Sequence, residues 1–321
     1  MTLLSDSAVD RLRDTVARPA LPARYELAEV IGRGGMGVVW RARDALLDRD
    51  VAIKVISPHL VDDAFSARLR REARILAQLE HPGVVPVHDV GVLDDGRAWY
   101  VMRLVRGTRL DVAAPTLGTR GDLLRIVERL CETVAFAHAH QVVHRDLKPG
   151  NVMLGPFGEV LVLDWGVARN ASLPDAGPPD GPRSPAAHTG DDVITGTGTV
   201  LGTPGYMTPE QAAGAAADER SDVYGLGAIL RDLCAVHADA VPRPLAAIRD
   251  RATAPVPADR YASPLALRDD IRRYLDGARV HAHPETFVEA VRRFGVAYQT
   301  PILIVLAYLV MRLSIFLWRG V

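Results

Sequence analysis

The run His144-Arg145-Asp146-Leu147-Lys148-Pro149-Gly150-Asn151 puts a carboxylate, an ammonium and a primary amide into one short loop. A carboxylate so placed can orient an attacking hydroxyl and accept its proton, an ammonium can offset phosphoryl charge, and an amide oxygen can ligate a hard cation. Downstream, Val162-Leu163-Asp164-Trp165-Gly166 closes an apolar strand on an aspartate, a second oxygen ligand suited to Mg²⁺. Alone, Asp164 would be a turn residue; the loop just upstream argues otherwise. Nearer the start, Gly32-Arg33-Gly34-Gly35-Met36-Gly37 would let backbone amides approach an anion with no Cβ in the way. That spacing also makes a plain hairpin, and dinucleotide folds use it too. There, however, the last glycine opens a helix, whereas here the strand-like run 38–43 follows. Val51-Ala52-Ile53-Lys54 ends a strand on a lysine, either an ordinary solvent-facing end or a cation for the phosphates the glycine loop would cover. Such a lysine needs a carboxylate to hold it. Glu72 is the candidate, and is otherwise a solvated helix residue.

These groups need elements to position them. Residues 24–56 hold short β-rich runs around the glycine cluster, which predicts a hairpin and a third strand. Leu69, Ala73, Leu76 and Leu79 recur at helical spacing. Strands are expected again over 84–104, broken at Asp94-Asp95-Gly96, then a long helix over 122–140, then strand and loop to 169. Residues 170–192, rich in Ala, Pro, Gly and Asp, have loop composition and are expected to be disordered. From Pro209 to about 276 the pattern is helical. The fold class expected is α+β, a strand-rich part joined near 104–107 to a helix-rich part.

Bulk properties narrow the function. The chain has 321 residues and a net charge of −1, so no global positive field draws it to nucleic acid. Its two cysteines, Cys131 and Cys234, are too few for a disulfide scaffold or a zinc site and read as buried free thiols. The first 20 residues lack the apolar core of a signal peptide. Residues 301–318 are apolar apart from Ser314 and Arg312. As a helix, 302–318 would extend about 25 Å against a bilayer core of about 30 Å. Arg312 costs about 2.5–3.5 kcal/mol near the centre, and the Leu, Ile, Val and Phe residues offset it. A membrane span is therefore expected, with a buried helix or an interfacial or partner-binding helix as the competing readings. Arg273, Arg279, Arg292 and Arg293 upstream would keep the rest cytoplasmic at an inner membrane. So little follows Trp318 that no extracellular sensor is expected.

Taken together, the motifs resemble the eukaryotic-type serine/threonine protein kinases in their bacterial form. The resemblance covers 24–276, a two-lobed kinase fold with an antiparallel-sheet first lobe (24–103) and a mainly helical second lobe (104–276). An extension (1–23) would precede it, and a juxtamembrane linker (277–300) and the apolar helix (301–318) would follow. Within the activation segment (164–210), Leu201-Gly202-Thr203-Pro204-Gly205-Tyr206-Met207-Thr208-Pro209-Glu210 is similar to the segment that shapes a protein-substrate groove. By that resemblance ATP and Mg²⁺, or Mn²⁺, are the cofactors. Gly32, Gly34 and Gly37 would cover the phosphates, and Ile31, Arg33, Gly35 and Met36 would also belong to the nucleotide site. Val39, Ala52 and Met153 would sandwich the adenine, with Met102 behind it and a hinge at 103–105 that includes Val105. Lys54, held by Glu72, would grip the α- and β-phosphates. Asp146 would accept the hydroxyl proton, Lys148 would stabilise the γ-phosphoryl group, and Asn151 and Asp164 would hold the metal. Arg145, Trp165, Thr203, Glu210, Asp222 and Arg260 are structural positions, Asp222 bracing the catalytic loop and Arg260 pairing with Glu210. Thr195 and Thr197 match sites of autophosphorylation, against the alternative of an unmodified Thr-Gly linker, and Arg145 would receive such a phosphate. Lys148 and Thr203 favour a serine/threonine acceptor.

Three departures stand out. Trp165 replaces the usual phenylalanine, Arg103 replaces a frequent glutamate, and the stretch after the helix beginning near Asp222 is too short for the family's extra docking helix. The partners implied are proteins with Ser or Thr acceptors, a second copy of the chain and the membrane, but no nucleic acid. Two other functions compete. A catalytically silent membrane-tethered scaffold that binds ATP has the missing helix as its support, and a small-molecule kinase is opposed by the segment 202–210.

Overall fold

The computed structural model describes residues 18–34, 37–56, 74, 76–165, 169–170, 205–213, 215, 217–237 and 239–319. Glu72, Gly35, Met36, Gly166, Thr195, Thr197 and Thr203 lie outside them.

Five strands form the first lobe: β1 (Tyr25–Gly34), β2 (Gly37–Asp44), β3 (Arg49–Ile56), β4 (Val87–Val92) and β5 (Ala98–Arg103). They make one antiparallel sheet in the order β1-β2-β3-β5-β4. Alternation fixes the register. Val51, Ile53 and Val55 turn one way with Trp40, Trp99 and Val101 into a single apolar cluster, so a one-residue slip of β3 would turn all three away from that cluster and bring Ala52 and Lys54 into it. Tyr25 packs edge-on to Trp99 at a centroid separation of 5.7 Å and donates its hydroxyl to Asp89 at 2.6 Å, tying β1 to the opposite edge strand.

After the crossing at 104–107 come β6 (Thr108–Arg109), α1 (Leu110–Ala113) and α2 (Arg120–Ala139). Thr119 and Asp122 form a reciprocal capping box that starts α2. The helix then buries Leu123, Leu124, Val127, Leu130 and Val134 in the main core of the second lobe. Short strands β7 (Val142–Val143), β8 (Val152–Leu154), β9 (Val160–Val162) and β10 (Arg169–Asn170) carry the polar loops between them. The helices that follow are α3 (Pro209–Ala212), α4 (Glu219–Ala235), α5 (Arg243–Ala252) and α6 (Pro264–Leu275). Glycines let α4 sit close to its neighbours: a Cβ on Gly225 would lie 2.8 Å from Leu147 Cβ, and one on Gly227 would lie 2.6 Å from Ala252 Cβ. Residues 236–242 join α4 directly to α5, and the described residues among them hold no helix.

The stretch 277–300 is more ordered than a linker. Asp270, fully buried, accepts from the Tyr261 hydroxyl (2.9 Å) and from the amides of His281 (2.7 Å) and Ala282 (3.0 Å). Val280 is buried in the second-lobe core beside this clasp. Helix α7 (Phe287–Ala297) begins where Glu289 accepts from the Thr286 amide and hydroxyl, both at 2.9 Å. Helix α8 (Gln299–Arg319) covers the apolar run, with Leu303, Ile304, Leu306, Leu309 and Val310 exposed. The expectation of a membrane span is not met among the described residues, where no helix is long and apolar enough to cross a membrane. Arg312 interrupts the run, and the side chains of Ile302, Leu313, Phe316 and Leu317 are not among those described.

Candidate active site

The catalytic-type loop is built from its anchors. Asp222 lies in the first turn of α4 and is almost wholly buried. Its Oδ2 accepts the His144 amide at 2.8 Å and its Oδ1 the Arg145 amide at 2.7 Å. Arg145 has φ of 72°, a left-handed conformation costly for a residue with a Cβ, and this double grip holds it there. The His144 ring works in two directions. Nε2 lies 2.9 Å from the Leu163 carbonyl, while Nδ1 accepts the Asp146 amide at 3.3 Å. A neutral ring with its proton on Nε2 satisfies both bonds.

Asp146 therefore emerges with defined neighbours. Lys148 Nζ lies 3.0 Å from its Oδ2, and Asn151 Nδ2 donates to that same oxygen at 3.1 Å and to the Asp146 carbonyl at 2.8 Å. Both amide protons of Asn151 are thus occupied within the loop, which leaves Oδ1 as its ligating atom. The Asn151 carbonyl accepts the Leu163 amide at 2.8 Å, docking this loop on the strand that ends at Asp164.

Asp164 also adopts a left-handed backbone, φ 54°. Its Oδ1 lies 3.2 Å from Lys54 Nζ across the two lobes. Lys54 is buried and its ammonium stands 5.9 Å from the Tyr100 ring centroid. The Lys54 charge, aided by Lys148, holds the Asp164 carboxyl below the usual carboxylate range. Trp165 is 2% exposed, packs 4.8 Å from the His144 ring, and donates its indole N–H to the Val162 carbonyl at 3.1 Å. The N–H that a phenylalanine would lack thus finds a partner one turn back.

The remaining site residues fall around this centre. Gly32 pairs with Val39, Arg33 with Val38 and Gly34 with Gly37 across the β1–β2 hairpin, with Ile31 47% exposed beside them. Val39 is opposite Lys54, Ala52 opposite Met102, and Met153 lies on β8 opposite Leu161. Val105 is half-buried in the crossing between lobes. Arg103 ends β5 and its guanidinium lies 3.3 Å from Glu159 of the β8–β9 turn, an ion pair bridging the lobes. In the segment after 204, Thr208 and Gln211 cap α3 reciprocally, and Gln211 Nε2 donates to the Arg145 carbonyl at 3.2 Å. Glu210 is clasped by Arg260 at 2.6 and 2.8 Å. The structure therefore brings together Lys54, Asp146, Lys148, Asn151, Asp164, Arg145, Trp165 and Asp222. The proposed partner Glu72 and the threonines Thr195, Thr197 and Thr203 lie outside the described residues.

Sequence reasoning missed His138, whose Nε2 lies 2.8 Å from Asp222 Oδ2. A polar residue in the last turn of α2 gave no sign of burial. The Arg103–Glu159 bridge and the Gln211–Arg145 bond were missed because their partners lie 56 and 66 residues apart, with no local pattern that joins them.

Among the described residues no cluster of three or more His, Cys, Asp or Glu could hold a metal ion unaided. The oxygen donors Asn151 Oδ1 and Asp164 are of the type that suits Mg²⁺, which keeps its waters and shares phosphate oxygens rather than requiring an all-protein cage. Lys54 beside Asp164 is a cation of the kind that a phosphate chain could pair with.

The model of the protein kinase domain family matches residues 25–239. The serine/threonine-protein kinase PknB of Mycolicibacterium smegmatis is 35% identical over 305 residues, covering 85% of this chain and 46% of that protein. The serine/threonine-protein kinase PknD of Chlamydia felis is 34% identical over 296 residues, 79% of this chain and 31% of that protein. The chain thus spans less than half the length of these curated relatives. A crystal structure of the Mycobacterium tuberculosis PknI kinase domain superposes with a TM-score of 0.58 at 27% identity, covering 80% of this chain and 98% of the other. With the family model matched over most of the two lobes, and Lys54, Asp146, Asn151 and Asp164 in the arrangement described, the chain belongs to the protein kinase family.

Proposed function

We propose that this chain transfers the γ-phosphoryl group of ATP to serine or threonine hydroxyls of protein substrates, with Mg²⁺ as the metal. The observation that carries the proposal is the joining of two separate segments. The loop holding Asp146, Lys148 and Asn151 is hydrogen-bonded at Asn151 and His144 to the strand end presenting Asp164, which in turn reaches Lys54 at 3.2 Å. Mg²⁺ bound with ATP would supply charge neutralisation across the phosphates. The protein's part is positioning. Asp146 orients the incoming hydroxyl and takes its proton. Lys148, already 3.0 Å from Asp146, offsets the charge of the transferring group. Lys54 would hold the nucleotide phosphates, and the glycine-rich stretch between β1 and β2 would cover them with its backbone amides.

Autophosphorylation at Thr195 and Thr197, in trans on a second copy, belongs to the same reading, with Arg145 as the expected phosphate partner. So does attachment to a membrane through α8, whose exposed Leu303, Ile304, Leu306 and Leu309 support it, with the kinase lobes on the cytoplasmic side. Co-flotation of the full chain, but not of one ending at Tyr298, with lipid vesicles is expected; failure of the full chain to co-float removes this part of the proposal.

The central test is incubation of purified protein with γ-labelled ATP and Mg²⁺, alongside Asp146→Asn. Labelled phosphoserine or phosphothreonine from the unsubstituted chain alone is the expected result. Equal labelling by the variant, or none by either, overturns the reading.

A further inference from the structure

A buried carboxylate outside the catalytic centre joins the two stretches of chain that flank α6. Asp270 is fully buried, and both its oxygens are filled. Oδ1 accepts the His281 amide at 2.7 Å and lies 3.0 Å from His281 Nδ1. Oδ2 accepts the Ala282 amide at 3.0 Å and the Tyr261 hydroxyl at 2.9 Å. Residue 261, before α6, and residues 281–282, after it, therefore meet on one side chain, and Val280 seals the contact in the second-lobe core. Tyr261 is itself buried, with Arg251 Cζ 4.6 Å from its ring centroid, and it directly follows Arg260. Arg260 clasps Glu210 with two bonds, and Gln211, the next residue along, donates to the Arg145 carbonyl, one residue before Asp146. Covalent and hydrogen bonds thus lead without a gap from the chain beyond α6 to the catalytic loop.

We propose that Asp270 is a positioning residue for phosphoryl transfer. Held by the chain that returns over it at 280–282, it fixes Tyr261 and Arg260, and through them the end of the activation segment against the catalytic loop. The inference rests on the kinase reading above, in which that segment shapes the groove for the protein substrate. Closing the end of α6 would need only the two backbone amides. The Tyr261 hydroxyl adds nothing to that closure, and a phenylalanine would fill the same space with no polar group to satisfy. What the hydroxyl adds is a fixed place for the backbone that carries Arg260. The Arg260 fork must match both edges of the Glu210 carboxylate, so a small shift of that backbone spoils the fit.

The test uses the full chain carrying Asp270→Asn, Tyr261→Phe or Ser263→Ala. In Asp270→Asn, either orientation of the amide strands a backbone N–H that the carboxylate accepts. Tyr261→Phe keeps the ring and severs the link. Ser263→Ala is the control. It removes the hydroxyl that accepts the Ala266 amide at 3.2 Å at the start of α6, weakening the same helix without touching Asp270. The readouts are KM for a peptide substrate, ATP affinity by calorimetry, and hydrogen exchange of the α3 amides. We expect Asp270→Asn and Tyr261→Phe each to raise the peptide KM about 2- to 30-fold, the range for residues along a coupled network. Exchange in α3 should quicken in both. ATP affinity should stay unchanged, because Lys54 and the glycine stretch belong to the first lobe, and Ser263→Ala should leave all three readouts as they are. If Asp270→Asn does not fold, Tyr261→Phe against Ser263→Ala decides the matter. An unchanged peptide KM in Tyr261→Phe, or an equal rise in Ser263→Ala, overturns the inference alone. Absence of phosphate transfer by the unsubstituted chain overturns the kinase reading and the inference with it.

Discussion

Arg260 and Glu210 lie fifty residues apart in the chain and meet edge to edge, Nη1 to Oε1 at 2.6 Å and Nη2 to Oε2 at 2.8 Å. Arg260 is 2% exposed, and its remaining donors go to the carbonyls of Ala254, Arg220 and Pro255. The guanidinium fork therefore ties the end of the activation segment to the turns before α4 and α6. Removing one partner of a buried pair strands the other. Arg260→Ala should cost about 3–5 kcal/mol, read as a lowered urea midpoint. Arg260→Lys keeps the charge but cannot match both carboxylate edges and the three carbonyls, so it should recover only part of that loss. Equal stability of the lysine variant and the parent would show that the fork geometry is unimportant.

A second ion pair sets an acid limb. Asp44 is fully buried, and Arg24 donates to it twice, at 2.8 and 2.9 Å. Chiefly through those bonds, and against its own desolvation, the Asp44 carboxyl is held down at about 2. Burial pushes the Glu210 carboxyl up, but the Arg260 bonds, with those from Thr208 and the Glu210 backbone, together leave it below its ordinary value. Unfolded carboxylates titrate near about 4. A depressed folded pKa means the stabilisation is complete above that value and is lost as pH falls through the folded one. Unfolding midpoints should therefore be flat above about pH 5 and drop toward pH 2, and Asp44→Asn should make the drop shallower. An unchanged acid limb in Asp44→Asn would remove the pair as its source.

The motifs were legible because each packs its chemistry into consecutive residues, so that 144–151 alone specifies carboxylate, ammonium and amide within one loop. The third strand was legible too, since 51–56 is a short apolar run interrupted only by Lys54, and β3 is indeed buried on both faces. What escaped were contacts between polar residues far apart in the chain. His138 and Asp222, 84 residues apart, carry no periodic signal that joins them. Asp270 reads as a solvated helix residue until Val280, His281 and Ala282 fold back over it. This is why 277–300 was drawn as a linker when its first part is docked on the second lobe. The apolar run at 301–318 announced a helix correctly, but hydropathy alone does not say what surrounds that helix.

The 3.2 Å contact between Lys54 and Asp164 makes a prediction about chemistry rather than stability. Asp164 is more than half exposed and sits at the edge of the cleft, so substitutions there should leave the fold intact. Lys54→Met and Asp164→Asn should each lower kcat/KM for peptide phosphorylation by at least about 10²–10³-fold, the scale for removing one preorganised electrostatic group. On the proposed function both act on the same phosphate chain, so the double variant should lose far less than the product of the two losses. Full multiplicativity would mean that the two residues work at separate sites.

Gly37 and Gly32 flank the same hairpin yet should respond oppositely to a methyl group. A Cβ on Gly37 would lie 2.2 Å from the Val55 carbonyl oxygen and 3.2 Å from Ile56 Cα. Those are backbone atoms of β3 in register with Gly37, and they cannot yield without breaking the β2–β3 ladder. A Cβ on Gly32 would meet only the Val39 side chain, at 3.6 Å, an ordinary contact. Gly37→Ala should therefore destabilise the first lobe by about 1–3 kcal/mol, the range for forcing atoms into packed space. Gly32→Ala should leave the melting temperature essentially unmoved. Hydrogen exchange should localise the difference, with faster exchange of the β2 and β3 amides in Gly37→Ala alone. Matching melting curves and exchange for the two variants would mean that β3 does not approach β2 as closely as these distances require.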